Sequence, residues 1–76
     1  MAQYDVARVL YEADSRLTVD EIGRKLDIRG GTIRFNLKHL KKKGYVTKDE
    51  NTYKISSDKD ESDIEDLKPK TLDEML

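Results

Sequence analysis

The sequence predicts an α+β domain of three helices followed by a two-stranded β-hairpin, with an acidic C-terminal tail. Three observations carry this expectation. Apolar residues recur at helical spacing in three segments between Gln3 and Lys43. Alternation of β-formers replaces that spacing from Tyr45 to Ser56, and beyond it acidic residues dominate.

Gln3 to Ala13 is the expected first helix, because Val6, Val9, Leu10 and Ala13 recur at i, i+3, i+4 and i+7. Asp14-Ser15-Arg16 reads as a turn, and Leu17 opens a short extended link. Thr18-Val19-Asp20-Glu21 has the spacing of a capping box, in which the Thr18 hydroxyl accepts from the Glu21 backbone N–H and the Glu21 carboxylate reaches back. It starts a second helix running to about Leu26, with Val19, Ile22 and Leu26 inward. Gly23 in that helix costs about 1 kcal/mol relative to alanine. Either another element approaches closely there, or the glycine is incidental.

Asp27 to Gly31 is the expected turn, and Thr32 to Lys43 the third helix, ended by Gly44 as a left-handed cap. Advancing by about 100 degrees per residue puts Leu37 and Leu40 within about 40 degrees of Ile33. These three form an inward seam. The opposite side carries Gly31, Phe35, Lys38 and Lys42, flanked by Arg34 and His39. Tyr45 to Lys48 and Thr52 to Ser56, joined by Asp49-Glu50-Asn51, read as a hairpin with Val46, Tyr53 and Ile55 facing inward. The domain is therefore expected over residues 1–56. Residues 57–76 have only Ile64, Leu67, Leu72, Met75 and Leu76 as apolar side chains, and Pro69 interrupts any helix. They are expected to be a disordered or partner-docking tail.

The net charge of −1 hides two opposed halves. Residues 1–56 carry 12 Lys/Arg against 8 Asp/Glu, whereas residues 57–76 carry 3 against 8. Arg24 to Lys48 holds 9 basic residues and a single acid, Asp27. A polyanion responds to such a local field and not to the overall isoelectric point. Lys41 to Lys43 would also suit a solvated helix end, where cations complement the macrodipole. A tail that is acidic opposite so basic a helix is also expected to compete with DNA for it.

Other functions find little support. Without cysteine there are no disulfides, thiolate metal sites or thiol catalysis, and His39 alone assembles no metal site. No cofactor is implied. The paired carboxylates Asp20 and Glu21 are accounted for by helix capping, so an enzyme is not expected. No apolar run reaches the roughly 20 residues needed to span a bilayer, and a soluble cytoplasmic protein with no membrane partner is expected. A core built from so short a chain buries only roughly 60% of the unfolded surface, so marginal stability is expected.

A short helix-turn-helix followed by a β-ribbon presents one cationic helix to a DNA groove. Arg29 and Arg34 sit near the helix start, where base edges are met, and a bidentate arginine on guanine discriminates by roughly 1–3 kcal/mol. Thr32 suits a phosphate or a thymine methyl, and Lys38 and Lys42 suit phosphates. Gly30-Gly31 either lets a phosphate approach the helix end or only permits the turn. Phe35 lies at about 200 degrees from Ile33, within the cationic face. It suits thymine methyls or sugars, or else a contact with the first helix or a second subunit. Asn36 borders the seam and is expected to satisfy local polar groups, and His39 to be a surface residue. The acidic hairpin tip is ill suited to the minor groove, leaving Lys48 and Lys54 as its phosphate contacts.

The run T-I-R-F-N-L-K-H-L-K-K-K-G-Y-V, preceded by T-V-D-E-I-G-R-K-L-D-I, resembles the winged helix-turn-helix transcription regulators. It is most similar to the ArsR- and MarR-like groups of archaea and bacteria, whose third helix often reads T-V-R-Y-H-L-K-x-L-E-x-x-G-L-V. The similarity spans roughly Tyr4 to Ser56. It implies a winged domain that binds double-stranded DNA as a homodimer and controls transcription. It also implies that Arg29, Thr32, Arg34, Phe35 and Lys38 lie on the DNA-facing helix. Metal sensing is not implied, since the sensing cysteines are missing, nor is an effector pocket, for which the chain has no room. The usual dimer helix after the wing is replaced by the Pro-interrupted tail. The alternative function is a winged-helix protein–protein module of a larger transcription or replication assembly, docking through Ile64, Leu67, Leu72 and Met75.

Overall fold

In the computed structural model, which describes residues 2–68, the elements run α1 (Ala2–Ala13), β1 (Leu17–Thr18), α2 (Val19–Leu26), α3 (Gly30–Lys42), β2 (Val46–Asp49), β3 (Thr52–Ile55) and α4 (Glu61–Glu65). The three long helices surround a core of Val6, Ala7, Leu10, Ile22, Ile33, Leu37 and Leu40, closed by Leu17, Val46 and Ile55 from the strands and Ile64 from α4. On α1 the fully buried residues are Val6, Ala7 and Leu10, while Val9 and Ala13 are half-buried. The inward stripe is thus turned toward Ala7 from the one the periodicity suggests.

The capping box of α2 forms as expected. The Glu21 N–H donates to Thr18 Oγ1 at 3.2 Å, and the Thr18 N–H donates to Glu21 Oε1 at 2.8 Å. Ile22 is buried, with Val19 and Leu26 packed at the core's edge.

The turn between α2 and α3 departs from expectation. Its left-handed residue is Asp27, at φ 56 and ψ 46, and Gly30 and Gly31 are already the first two residues of α3. Aspartate tolerates that conformation better than most side chains, so the chain reverses without a glycine. Gly23 is needed instead. The Ile28 N–H donates to the Gly23 carbonyl at 3.1 Å, and a Cβ on Gly23 would lie 2.9 Å from the Ile28 oxygen. The close approach at Gly23 is therefore made by the turn's own backbone.

At its other end α3 closes with two bonds of the Schellman type. The Tyr45 N–H donates to Leu40 at 2.9 Å and the Gly44 N–H to Lys41 at 3.0 Å, with Gly44 at φ 84. The hairpin is tied to this same cap. The Ser56 N–H donates to the Tyr45 carbonyl at 2.9 Å and the Ser56 hydroxyl to the Gly44 carbonyl at 3.1 Å.

The sheet has three strands in the order β1-β3-β2, all antiparallel, where two were expected. Leu17 and Thr18 pair with Tyr53 and Thr52, so the extended link is an edge strand. Two residues are too few for alternation to reveal a strand.

The expected tail is corrected for its first half. Residues 57–68 lead into α4, whose N-terminus carries a second capping box: the Asp63 N–H donates to Asp60 Oδ1 at 3.1 Å, and the Asp60 N–H donates to Asp63 Oδ2 at 3.0 Å. Ile64 is fully buried where α4 packs on α1. Arg8 of α1 holds Glu61 at 3.1 Å and Glu65 at 3.0 Å, and the Tyr4 hydroxyl donates to Glu65 at 2.8 Å. Tyr4 and then Glu61 favour the charged guanidinium and raise its already high pKa. Ile64 is thus engaged within the chain and not free to dock elsewhere, and the core extends beyond Ser56. Pro69, Leu72, Met75 and Leu76 lie outside the described residues.

Two stability outcomes follow from this packing. Ile64→Ala is expected to cost about 2–5 kcal/mol in urea unfolding, as for a core aliphatic residue. Gly23→Ala is expected to cost about 1–3 kcal/mol from the clash with the Ile28 carbonyl, in place of the gain that alanine ordinarily brings to a helix.

Candidate nucleic-acid interface

Helix α3 has no acidic residue. With Ile33, Leu37 and Leu40 at zero exposure, its other side carries Thr32, Arg34, Phe35, Lys38 and Lys42 into solvent. Among the described residues every ion pair involves Arg8, so no cation of α3 is neutralised by a carboxylate there. Asn36 is nearly buried and its Nδ2 donates to the Thr32 carbonyl at 2.7 Å, the local role expected of it. Lys43 turns away, donating to Gln3 at 3.0 Å.

The start of α3 differs from that of the two helices with capping boxes. Its N-cap is Arg29, which makes no side-chain cap bond, and its first turn has no acid. The first backbone N–H groups and the positive end of the dipole therefore meet solvent beside a guanidinium. Gly31 is exposed, and a Cβ there would meet nothing within 4 Å. Neither the turn nor the packing of the protein requires a glycine at 31, which leaves its open space available to an outside molecule.

The wing splits the two lysines assigned to it. Lys48 pairs across the sheet with Tyr53, its ammonium 5.9 Å from the ring centroid, on the face that carries Val46 and Ile55. Arg34 joins Lys48, Asn51 and Tyr53 of the hairpin and Thr18, Val19 and Asp20 at the start of α2 around one groove. Lys54 pairs with Thr47 on the opposite face of the sheet and shares a hollow with Arg16, Ser57 and Asp58. The fold thus brings together Arg34, Phe35, Lys38, Lys42 and Lys48 with the helix start at Arg29, Gly31 and Thr32, and it sets Lys54 apart.

Two cations outside the sequence-based set also emerge. Arg24 lines a groove with Arg29, Gly30 and Asp27 at the mouth of the turn, and Arg16 stands beside Lys54. Arg24 falls within the basic run, but its nearness to the start of α3 required the turn to close. Nothing in the sequence placed Arg16 beside the sheet. Among the described residues no His, Cys, Asp and Glu cluster could hold a metal ion, and no helix is long and apolar enough to cross a membrane.

Two helices joined by a tight turn, the second presenting an unneutralised cationic face, followed by a hairpin locked to its C-terminal cap, define a winged helix-turn-helix domain. A model described as MarR family matches residues 1–52 of the chain. The chain belongs to the MarR family, and its general role is that of a DNA-binding transcription regulator. No curated protein and no solved structure gave a match. The matched residues stop at the first residue of β3, so α4 lies beyond them.

Exposed positions on this face should be separable from folding. Gly31→Ala is expected to raise stability by up to about 1 kcal/mol, since alanine fits a helix better and meets no neighbour. Phe35→Ala is expected to stay within about 0.5 kcal/mol of the parent, as surface substitutions do. Thermal and urea unfolding of both variants measure this.

Proposed function

We propose that the chain reads double-stranded DNA by laying α3 in the major groove, with Arg29 and Arg34 toward base edges and Lys38 and Lys42 toward phosphates. The observation that carries this reading is the division of α3 into a fully buried apolar seam and an opposite face of cations without carboxylate partners. The uncapped helix start with Gly31 suits a backbone phosphate approaching the first N–H groups. Lys48, which lines one groove with Arg34 and Asp20, suits the sugar–phosphate strand that borders the major groove. Asp49 and Glu50 at the hairpin tip oppose entry into the minor groove, so the wing acts through Lys48 on its strand. Lys54, on the far face of the sheet, fits a phosphate only if DNA wraps beyond the hairpin.

Members of this family typically bind as dimers, and two copies on one duplex would read half-sites about 10 bp apart. A protein-docking role for the C-terminal segment gains nothing from Ile64, which is committed to the core.

The test compares two substitutions on a duplex enriched from a random pool. Arg34→Ala is expected to lose about 1–3 kcal/mol of discrimination at one base-pair position. Lys38→Ala is expected to weaken all sequences alike and to reduce the slope of log K against log salt by about 1. Equal and sequence-independent losses from both variants would leave only non-specific binding.

A further inference from the structure

We propose that Phe35 reads the C5 methyl group of a thymine, making it a specificity-determining residue of α3. The inference rests on the reading of α3 as the helix in the major groove and adds the chemistry of one contact. Phe35 is 60% exposed, the one large hydrophobic side chain so exposed among the described residues. It lies in the N-terminal half of α3, between Arg34 and Lys38 and on the side away from Ile33. A ring there contributes nothing to the core and has no affinity for a phosphate. Among the groups that base pairs display in the major groove, the thymine methyl is the apolar one, and phenylalanine is among the side chains that pack on it.

The surroundings of the ring fit that task. His39, one turn later, meets it edge-on, with centroids 4.5 Å apart and planes at 64°. This contact restrains the ring at an otherwise open site. One turn earlier stands Gly31, where a side chain would find only open space, so the flank of the ring toward the helix start is clear for a base edge. A second copy of the chain is a poor occupant, because packing through this face would bring Arg34, Lys38 and Lys42 of both copies together without a carboxylate on α3 to offset them.

Replacing deoxythymidine by deoxyuridine removes the methyl group and leaves the hydrogen-bonding edge intact. The full-length chain is used to enrich a duplex from a random pool, and each thymine of that duplex is then replaced singly. At one thymine per half-site the replacement is expected to weaken the parent protein about fourfold, the effect of one buried methyl-sized group. The same replacement should leave Phe35→Ala unchanged, and Phe35→Leu should keep part of the sensitivity. Circular dichroism checks that both variants are folded. The proposal is overturned if parent and Phe35→Ala share one deoxyuridine profile, if no replacement affects the parent, or if the enriched duplex has no thymine. Equal weakening of every duplex by Phe35→Ala would assign the ring to sugar packing and also overturn it, as would a loss of dimer mass as its only effect. If the parent shows no salt-dependent binding to any duplex, the groove reading itself fails, an outcome distinct from all of these.

Discussion

The burial of Ile33, Leu37 and Leu40 along one edge of α3 determines the direction of every other side chain on that helix. All three have no exposure, and α1, α2 and β2 pack against α3. Burying one such side chain contributes roughly 1.5–3 kcal/mol. A rotation of α3 that hid its cations would expose the seam and bury unpaired charge, both at a cost this small domain has little stability to meet. The cationic face is therefore held outward by the apolar one.

The same economy of contacts positions the hairpin. The bonds that end α3 at Gly44 and Tyr45 also receive Ser56, so β2 leaves the helix cap and β3 returns to it. Pairing of β1 with β3 joins this unit to the start of α2. Arg34 and Lys48, distant in sequence, thereby share one groove, while the antiparallel register sends Lys54 to the other face.

Segment 57–68 shows how a few residues redirect an acidic stretch. The ion pairs of Arg8 with Glu61 and Glu65 are at the surface, where water screens them and leaves each one weak. Ile64, fully enclosed against α1, is the stronger anchor. Together they hold Glu61 and Glu65 on α1. Truncation after Ser56 would remove part of the core along with the acids.

Much of the fold was written in local patterns. The capping box at Thr18, the seam of α3, the left-handed Gly44 and the hairpin each rest on neighbours within a few residues, where spacing dictates geometry. The exposed face of α3, from Thr32 through Phe35 to Lys42, followed from helical angle alone. Features that join distant segments were decided only by the tertiary structure. Leu17 and Thr18 become a strand because β3 offers an open edge, and Gly23 is required because Ile28 folds back on it. Asp27 takes the conformation expected of a glycine, and Ile64 finds α1 across more than fifty residues of chain. A period in the sequence reports which side of an element is apolar; it carries no information about which other element will cover it.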